Sequence, residues 1–445
     1  MKTSADHLTQ TRKNVPCPAC GCVCDDVSLQ FDDAGLSRFH PTCQLGESWF
    51  RSHWHGHCSN DRTSGQPASG QPSGLEGAIA EAANILRQAE YPLVYGLSRS
   101  ATAGQRAAVS LAETLGGVVD STASLCHGPS IMALQEVGEV TSTLGEVRNR
   151  ADLVIFWGSN PAKSHPRHAE RYSVFSPGKL TPGGRANRTI VMVGDAGCVH
   201  DWRLDPAGSH PDLVLPVNAG SDFEVLSQLR AILHGSSAAS ASRDLHHLME
   251  LMKGCRYGVV FFGLGLAKSN MGSGQSNSRA GHVDVAALLC LVAELNEVTR
   301  FTARRMRLQG DVSGADNVLC WQTGYPFGVD FSRGYPRYNP GEYTANELLE
   351  RGDVDACLLV GAESVEYFSQ PALQHLRAIP TVLVDYVNAT CPIIPSVQIR
   401  TAVYGIHTPG TIYRMDNVPM RLQKLCDSDL PTDEHVLNKI RSHCL

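Results

Sequence analysis

Six short runs of Val, Ile, Leu, Phe and Tyr constrain the fold of this 445-residue chain more than any other feature. Each run is continuous, and Gly or Asp follows its apolar core. This pattern is typical of parallel strands that helices cover on both faces. Segments with helical spacing at 75–90 and 105–116 flank the first run, and the second of these ends at two glycines that would stop a helix. We therefore predict an α/β fold with two parallel sheets. The runs are YPLVYGL (91–97), ADLVIFWGSNP (151–161), RTIVMVGD (188–195), YGVVFFGLG (257–265), VDACLLVGAE (354–363) and IPTVLVDYV (379–387).

Composition indicates a globular protein of the cytoplasm. Hydrophobic residues make up 42% of the chain and charged residues 18%, and the formal net charge of -6 argues against a nucleic-acid partner. The N-terminal residues contain no secretory apolar segment, and no apolar run approaches the roughly 20 residues of a membrane span. The 15 cysteines are scattered, so we expect reduced thiols rather than disulfides.

Four cysteines near the N-terminus have the spacing C-x2-C-x3-C-x18-C: Cys17, Cys20, Cys24 and Cys43. Thiolates are soft ligands, and a cubane iron–sulfur cluster needs one ligand on each of its four irons. A tetrahedral zinc site is the main alternative, and four thiols without a metal are the third possibility. Cys22 does not fit the spacing.

Small residues follow two of the predicted strands. Gly158 and Asn160 follow the apolar core of the run at 151–161, and Gly263 and Gly265 follow the apolar core of the run at 257–265. Ligands of open α/β sheets bind beyond the carboxyl ends of the strands, where glycine lets backbone N–H groups approach phosphate. None of these loops is a P-loop, and ordinary turn chemistry is the alternative. Together they favour a large cofactor that carries phosphate.

Other polar residues form three further groups. The loop LCHGPS (125–130) contains Cys126, which could be a nucleophile, a metal ligand or a buried apolar side chain. The run SHPRHAERYS (164–173) could be a solvated face or an anion-binding rim. Arg304, Arg305 and Arg307 form a basic cluster.

Long collinear motifs make the chain resemble the B subunit of formylmethanofuran dehydrogenase. In that family, this is the molybdenum- or tungsten-pterin subunit and is related to formate dehydrogenases, and bacterial members belong to the formyltransferase/hydrolase complex. The likeness covers nearly the whole chain, apart from 59–75 and about the last 20 residues. The motifs are CPACGCVCDD (17–26), LCHGPSIMALQEVG (125–138), GEVRNRADLVIFWGSNPAKSHPRHAERYS (145–173), WQTGYPFGVDFSRGYPRYNPGEYTANELL (321–349) and GTIYRMDNVP (410–419).

The resemblance implies roles for particular residues. The four N-terminal cysteines match the ligands of a [4Fe–4S] cluster. Cys126 matches the thiolate on tungsten or molybdenum, and His127 and Arg307 match the catalytic residues beside it. The implied cofactor is a molybdenum or tungsten bis-pterin guanine dinucleotide, and a partner subunit of the complex supplies part of its binding site.

The implied fold is molybdopterin-oxidoreductase-like, with a small N-terminal iron–sulfur lobe and two interleaved parallel-sheet α/β domains. We expect the lobe at 1–58, a flexible linker at 59–75 and a C-terminal tail at 426–445. We expect a discontinuous domain at 76–126 and 290–425, with a second domain inserted at 127–289.

The resemblance implies interconversion of a formyl or formate unit and CO2 in tetrahydromethanopterin-linked C1 metabolism, within a complex of other subunits and with no membrane. Two departures from the family pattern, GIH at 405–407 and NATCPIIP at 388–395, lie where cofactor contacts are expected. The alternative is therefore a non-redox structural subunit of the formyltransferase/hydrolase complex.

Overall fold

The computed structural model describes residues 10–32, 35–54, 74–236, 242–267, 278–308 and 310–445. The chain forms two units. The first comprises the described residues of Met1–Leu125, Gln309–Arg414 and Pro419–Leu445, and the second comprises those of Cys126–Leu308 and Met415–Val418.

The elements are numbered in chain order. The strands are β1 Gln10–Val15, β2 Val27–Asp32, β3 Gly35–His40, β4 Pro92–Gly96, β5 Val118–Ser121, β6 Leu153–Trp157, β7 Thr189–Asp195, β8 Leu213–Val217, β9 Gly258–Phe262, β10 Phe301–Arg305, β11 Val329–Asp330, β12 Arg337–Tyr338, β13 Ala356–Val360, β14 Thr381–Tyr386, β15 Val397–Thr401, β16 Gly410–Tyr413 and β17 Pro419–Leu422. The α-helices are α1 Gln44–His53, α2 Leu75–Gln88, α3 Thr102–Leu115, α4 Gly128–Val137, α5 Leu144–Arg150, α6 Pro161–Ser164, α7 Asp222–Leu233, α8 Arg243–Gly254, α9 Leu264–Ala267, α10 Ser278–Leu295, α11 Val312–Thr323, α12 Ala345–Arg351, α13 Gln370–Ala378 and α14 Asp433–Cys444.

The first unit is built on a seven-stranded sheet in the order β12-β11-β5-β4-β13-β14-β15. Five neighbouring strands of this sheet are parallel, namely β5, β4, β13, β14 and β15. The strand β11 pairs antiparallel with β5. Apolar clusters cover both faces, one with α2, α3, α11 and α14 and the other with α12 and α13. Continuous apolar strands result because neither face meets water.

The N-terminal part of the first unit is an antiparallel sheet, β1-β2-β3, followed by α1. Leu29, Phe39 and Phe50 are its buried apolar residues, and Phe31 stacks on Trp54 with ring centroids 3.8 Å apart. The four cysteines of the spaced motif belong to this part: three lie in the β1–β2 connection and the fourth precedes α1.

The second unit contains a five-stranded parallel sheet in the order β10-β9-β6-β7-β8. One apolar cluster packs α7, α8 and α10 against it. Because β10 pairs in parallel with β9, it belongs to this sheet. The unit therefore extends to Leu308, whereas the sequence placed its end at 289.

The prediction of a mixed α/β fold with parallel sheets is confirmed, and the six apolar runs contain β4, β6, β7, β9, β13 and β14. The interleaving is also seen, since β4 shares a sheet with β13 and β14 although the second unit separates them in the chain. The linker predicted at 59–75 lies almost wholly outside the described residues. Within the described ranges, no helix is both long and apolar enough to cross a membrane.

Candidate functional site

The loop that carries Cys126 and His127 leads directly into α4 of the second unit. His127 is the N-cap of this helix, and Pro129 stands in its first turn, where a fixed φ suits the start of a helix. The His127 ring does not cap the helix. Instead its Nε2 lies 3.3 Å from the backbone oxygen of Met306, 179 residues further along the chain. The fold thus brings His127 beside the residue that precedes Arg307.

A second histidine, His165, hydrogen-bonds to the backbone carbonyl of the next residue, Arg307. Its Nε2 lies 2.6 Å from the backbone oxygen of Arg307, and its ring is fully buried. The Met306 N–H donates to the backbone oxygen of Phe262 at 2.8 Å. Hydrogen bonds from three elements therefore fix the backbone at Met306 and Arg307. His165 is a positioning residue for Arg307, and local sequence did not reveal this role.

These contacts define the tautomers of both rings. A carbonyl oxygen only accepts, so Nε2 of each histidine carries the hydrogen and Nδ1 is the basic nitrogen. Nδ1 of His127 lies 3.4 Å from Ser130 Oγ. Nδ1 of His165 lies 2.9 Å from Ser164 Oγ. A proton taken up by His127 would therefore add at Nδ1.

The run at 164–173 is not a solvated face. Its His165, Arg167 and His168 are all buried, and His168 packs edge-on against Phe261 with ring centroids 4.5 Å apart. Burial lowers the pKa of His165 to about 4, and burial also holds the pKa of His168 well below its usual range. Both rings are neutral at physiological pH.

We expect these two histidines to make the protein sensitive to acid. The unfolded chain takes up a proton on His165 near pH 6.5, whereas the folded chain does so only near pH 4. Folding stability is therefore lost as pH falls through this window, by about 3 kcal/mol for His165 alone. Urea unfolding at pH 7.5, 5.5 and 4.5 would measure the loss. In His165→Gln, which keeps a donor for the Arg307 oxygen, the loss should be smaller. In the exposed control His246→Gln it should not change. An unchanged acid profile in His165→Gln would contradict the expectation.

Cys126 and Arg307 complete the predicted group in the second unit. Cys126 is half-buried and has no disulfide partner, and the Arg307 side chain is buried. A half-buried thiolate is a ligand that a soft metal can use. Their catalytic and metal-binding roles stay predictions.

The glycine loops after β6 and β9 pack directly on each other. Gly158 has a φ of +59°, and a Cβ there would lie 2.4 Å from the backbone nitrogen of Leu266. The N–H groups of Gly158, Gly263 and Gly265 donate to the backbone oxygens of Val193, Trp157 and Gly158, respectively. These glycines therefore serve close backbone packing, and their N–H groups are already used within the protein.

Asn160, the fourth residue predicted to bind the cofactor, differs from these glycines. It follows β6 and is the N-cap of α6, but its side chain does not cap that helix. Its Oδ1 atom is buried and has no hydrogen-bond partner among the described residues. A buried acceptor without a donor is costly, so a ligand that donates to Asn160 would fit this position. Cofactor binding by all four residues stays a prediction.

The N-terminal cysteines lie in one neighbourhood of the first unit. Cys17, Cys20 and Cys24 are buried, and Cys43 is half-buried at the N-cap of α1. Burial raises the pKa of the Cys17 thiol, and the nearby Cys24, Cys20 and Cys43 raise it further. The backbone helps to gather them, since Cys17 N–H donates to the backbone oxygen of Cys24 at 2.9 Å.

The fourth thiol of this loop, Cys22, which does not fit the ligand spacing, contacts two cysteines that do. It is buried, and hydrogen bonds with the side chains of Cys20 and Cys24 raise the pKa of its thiol. Within the described ranges, no group of three or more His, Cys, Asp or Glu side chains is arranged to hold a single metal ion. Four thiols in one neighbourhood suit either an iron–sulfur cluster or a tetrahedral zinc ion. The donor chemistry fits a cluster, and the cluster itself stays a prediction.

Comparisons with known proteins identify the family of the chain. Over 429 residues, the chain is 39% identical to the B subunit of tungsten-containing formylmethanofuran dehydrogenase 2 from Methanocaldococcus jannaschii, covering 94% of this chain and 95% of that protein. The identity to the Methanococcus maripaludis protein of the same name is 36%, covering 93% of each. No family model matches the chain.

The chain is also similar to proteins of the formyltransferase/hydrolase complex. The B subunit of this complex from Methylorubrum extorquens is 25% identical over 65% of this chain and 72% of its own length. A chain in the crystal structure of that organism's FhcABCD complex with methylofuran superposes with a TM-score of 0.69 at 22% identity, covering 84% of this chain and 97% of that chain. At this identity the superposition shows a shared fold. From the two archaeal relatives, we conclude that the chain belongs to the family of formylmethanofuran dehydrogenase B subunits.

Proposed function

We propose that this chain is the metal–pterin subunit of a formylmethanofuran dehydrogenase-type complex and takes part in interconverting a formyl or formate unit and CO2. The observation that carries the proposal is the bond between the His127 ring and the Met306 carbonyl. It places His127 beside the residue that precedes Arg307, so two family positions that are remote in sequence come close together in the fold.

The residues of the second unit match the needs of a one-carbon carboxylate. The planar guanidinium of Arg307 suits the two oxygens of formate and can fix its orientation. His165 keeps the backbone of that arginine in place through the 2.6 Å bond to its carbonyl. Oxidation of formate to CO2 releases one proton, which His127 can hold at Nδ1.

The same unit offers groups for a tungsten or molybdenum pterin. The Cys126 thiolate would ligate the metal, and Asn160 Oδ1 is a buried acceptor that needs a donor from a ligand. When bound, the metal–pterin supplies two-electron redox chemistry. In the first unit, Cys17, Cys20, Cys24 and Cys43 would hold a [4Fe–4S] cluster that passes electrons singly. The relatives whose names specify tungsten favour that metal.

A structural subunit without redox activity is the second candidate. It is favoured by the similarity to the B subunit of the formyltransferase/hydrolase complex. In this case the chain would hold partner subunits together, and the residues around Cys126 would serve only the fold. Under both proposals the partners are other subunits of such a complex.

Metal analysis of the native complex tests the proposal. We expect about one tungsten or molybdenum and at least about four iron atoms per copy of this chain, measured by plasma mass spectrometry. The same preparation should reduce a viologen dye when given formate or the formylated carrier. A complex that contains this chain in full amount but lacks tungsten, molybdenum and dye reduction would establish the structural role instead.

A further inference from the structure

Arg304 is a buried arginine with one hydrogen-bonded protein partner in the described structure. It lies on β10, and its side chain is only 3% exposed. Its Nη1 donates to Thr141 Oγ1 at 2.8 Å. Its Nε and Nη2 are buried and have no hydrogen-bond partner among the described residues. An uncompensated buried cation of this kind is strongly destabilising.

Arg188 shows how the same unit satisfies an arginine that serves only structure. This side chain is 4% exposed, nearly the same as Arg304. All three of its guanidinium nitrogens donate to the protein, with acceptor distances of 2.7–3.1 Å. Its acceptors are the backbone oxygens of residues 148, 151, 174 and 176 and the hydroxyl of Thr181. The two arginines are almost equally buried, but Arg304, unlike Arg188, has two guanidinium nitrogens without a hydrogen-bond partner among the described residues.

The charges around Arg304 do not neutralise it through a direct ion pair. Glu139, the acidic side chain that most raises the pKa of Arg304, is bound to Arg305 with Oε2 3.0 Å from Nη2, and its Oε1 is buried without a hydrogen-bond partner among the described residues. Asp416 uses Oδ2 to accept the backbone N–H of Leu144 at 2.7 Å. Burial lowers the pKa of Arg304 to about 10, and the positive charges of Arg305 and Arg307 lower it as well. The side chain nevertheless stays protonated at neutral pH, so a positive charge remains to be matched.

The two unpaired nitrogens have a specific geometry. Nε–H and one N–H of Nη2 point from the same edge of a guanidinium, in parallel. Arg167 uses this edge for the carboxylate of Glu170, with Nε 3.1 Å from Oε2 and Nη2 2.9 Å from Oε1. Two oxygens of one carboxylate or phosphate fit such an edge. We propose that Arg304 binds an oxoanion through Nε and Nη2, as a second anion site apart from Arg307.

Two sources could supply this oxoanion. One is a one-carbon carboxylate such as formate or bicarbonate, and the other is the phosphate of a bound dinucleotide. Both present two oxygens to the same edge of Arg304. Binding of an anion to Arg304 requires neither a metal nor turnover. The test of this site is therefore independent of the redox proposal.

The test measures thermal stability of the complete cofactor-free chain with added anions. Inorganic phosphate and sodium formate are titrated separately at constant ionic strength, with chloride as the reference salt. We expect at least one of them to raise the melting temperature by several degrees and to saturate. Arg304→Met should abolish this rise, whereas Arg188→Met should keep it. A rise with phosphate alone assigns a phosphate-bearing ligand, and a rise with formate alone assigns the one-carbon carboxylate.

The variants also differ without any anion. Arg304→Met removes an unpaired charge, so its melting temperature in chloride should equal or exceed that of the wild type. Arg188→Met removes the donor from the buried backbone oxygens of residues 151, 174 and 176 and should melt well below the wild type. The proposal is overturned if Arg304→Met melts as low as Arg188→Met, because Arg304 is then held by the protein itself. It is also overturned if neither anion produces a rise that depends on Arg304.

Discussion

Replacing Cys126 with alanine should lower formate or formyl oxidation by the purified complex to less than about a thousandth of the wild-type rate. A thiolate that ligates the metal has no substitute in a methyl group, so both metal retention and turnover should fail. The complex should still assemble, because Cys126 is half-buried and its replacement removes little packing. Dye reduction, tungsten and molybdenum content, and the size of the complex by gel filtration would be measured together.

Cys255→Ala is the matched control. Its thiol is also half-buried in the second unit, and it donates to the backbone oxygen of Met252 at 3.1 Å. Its loss should cost only modest stability and leave turnover near the wild-type rate. If Cys126→Ala and Cys255→Ala both retain full activity, the thiolate is not used in catalysis and the structural role is correct.

The sequence predicted the central strands well because their pattern is local. A strand covered on both faces is largely apolar, and β6 and β14 are buried at all five and all six of their positions, respectively. The strand β10 was missed for the opposite reason. It lies at the edge of its sheet, and its residues FTARR alternate Thr302 and Arg304 with apolar residues. Two arginines in five residues suggested a basic cluster, and the missed strand displaced the predicted domain boundary.

The site could be predicted only where a family motif named its residues. Cys126, His127 and Arg307 were predicted in this way, and their roles stay predictions. His165 lies in a run whose composition indicated a polar surface, and its burial depends on a carbonyl 142 residues away. The unpaired edge of Arg304 is equally invisible in sequence, because pairing depends on which neighbours the fold supplies. Contacts between residues that are remote in sequence, such as these, can be identified only from the structure.

Replacing Cys17 with alanine should remove most of the iron from the first unit. Loss of one of four ligands exposes an iron of the cubane, so we expect a drop from about four cluster irons per chain to less than about one. Cys17 is fully enclosed by the loop, and the other three cysteines contribute to its raised pKa. No external thiol can therefore replace it readily. Iron content and the visible absorption of the anaerobically purified chain would be measured.

Cys22→Ala is the control that distinguishes ligands from neighbours. Cys22 is as buried as Cys17 and lies between Cys20 and Cys24, to which it is hydrogen-bonded. If the C-x2-C-x3-C-x18-C spacing identifies the ligands, Cys22→Ala should keep its iron although it removes a thiol from the same loop. Equal iron loss in both variants would mean that the loop, rather than a defined set of four thiolates, holds the metal. If the wild-type chain contains about one zinc and no iron, the cysteines form a tetrahedral zinc site instead of a cluster. The electron path proposed through this unit would then be excluded.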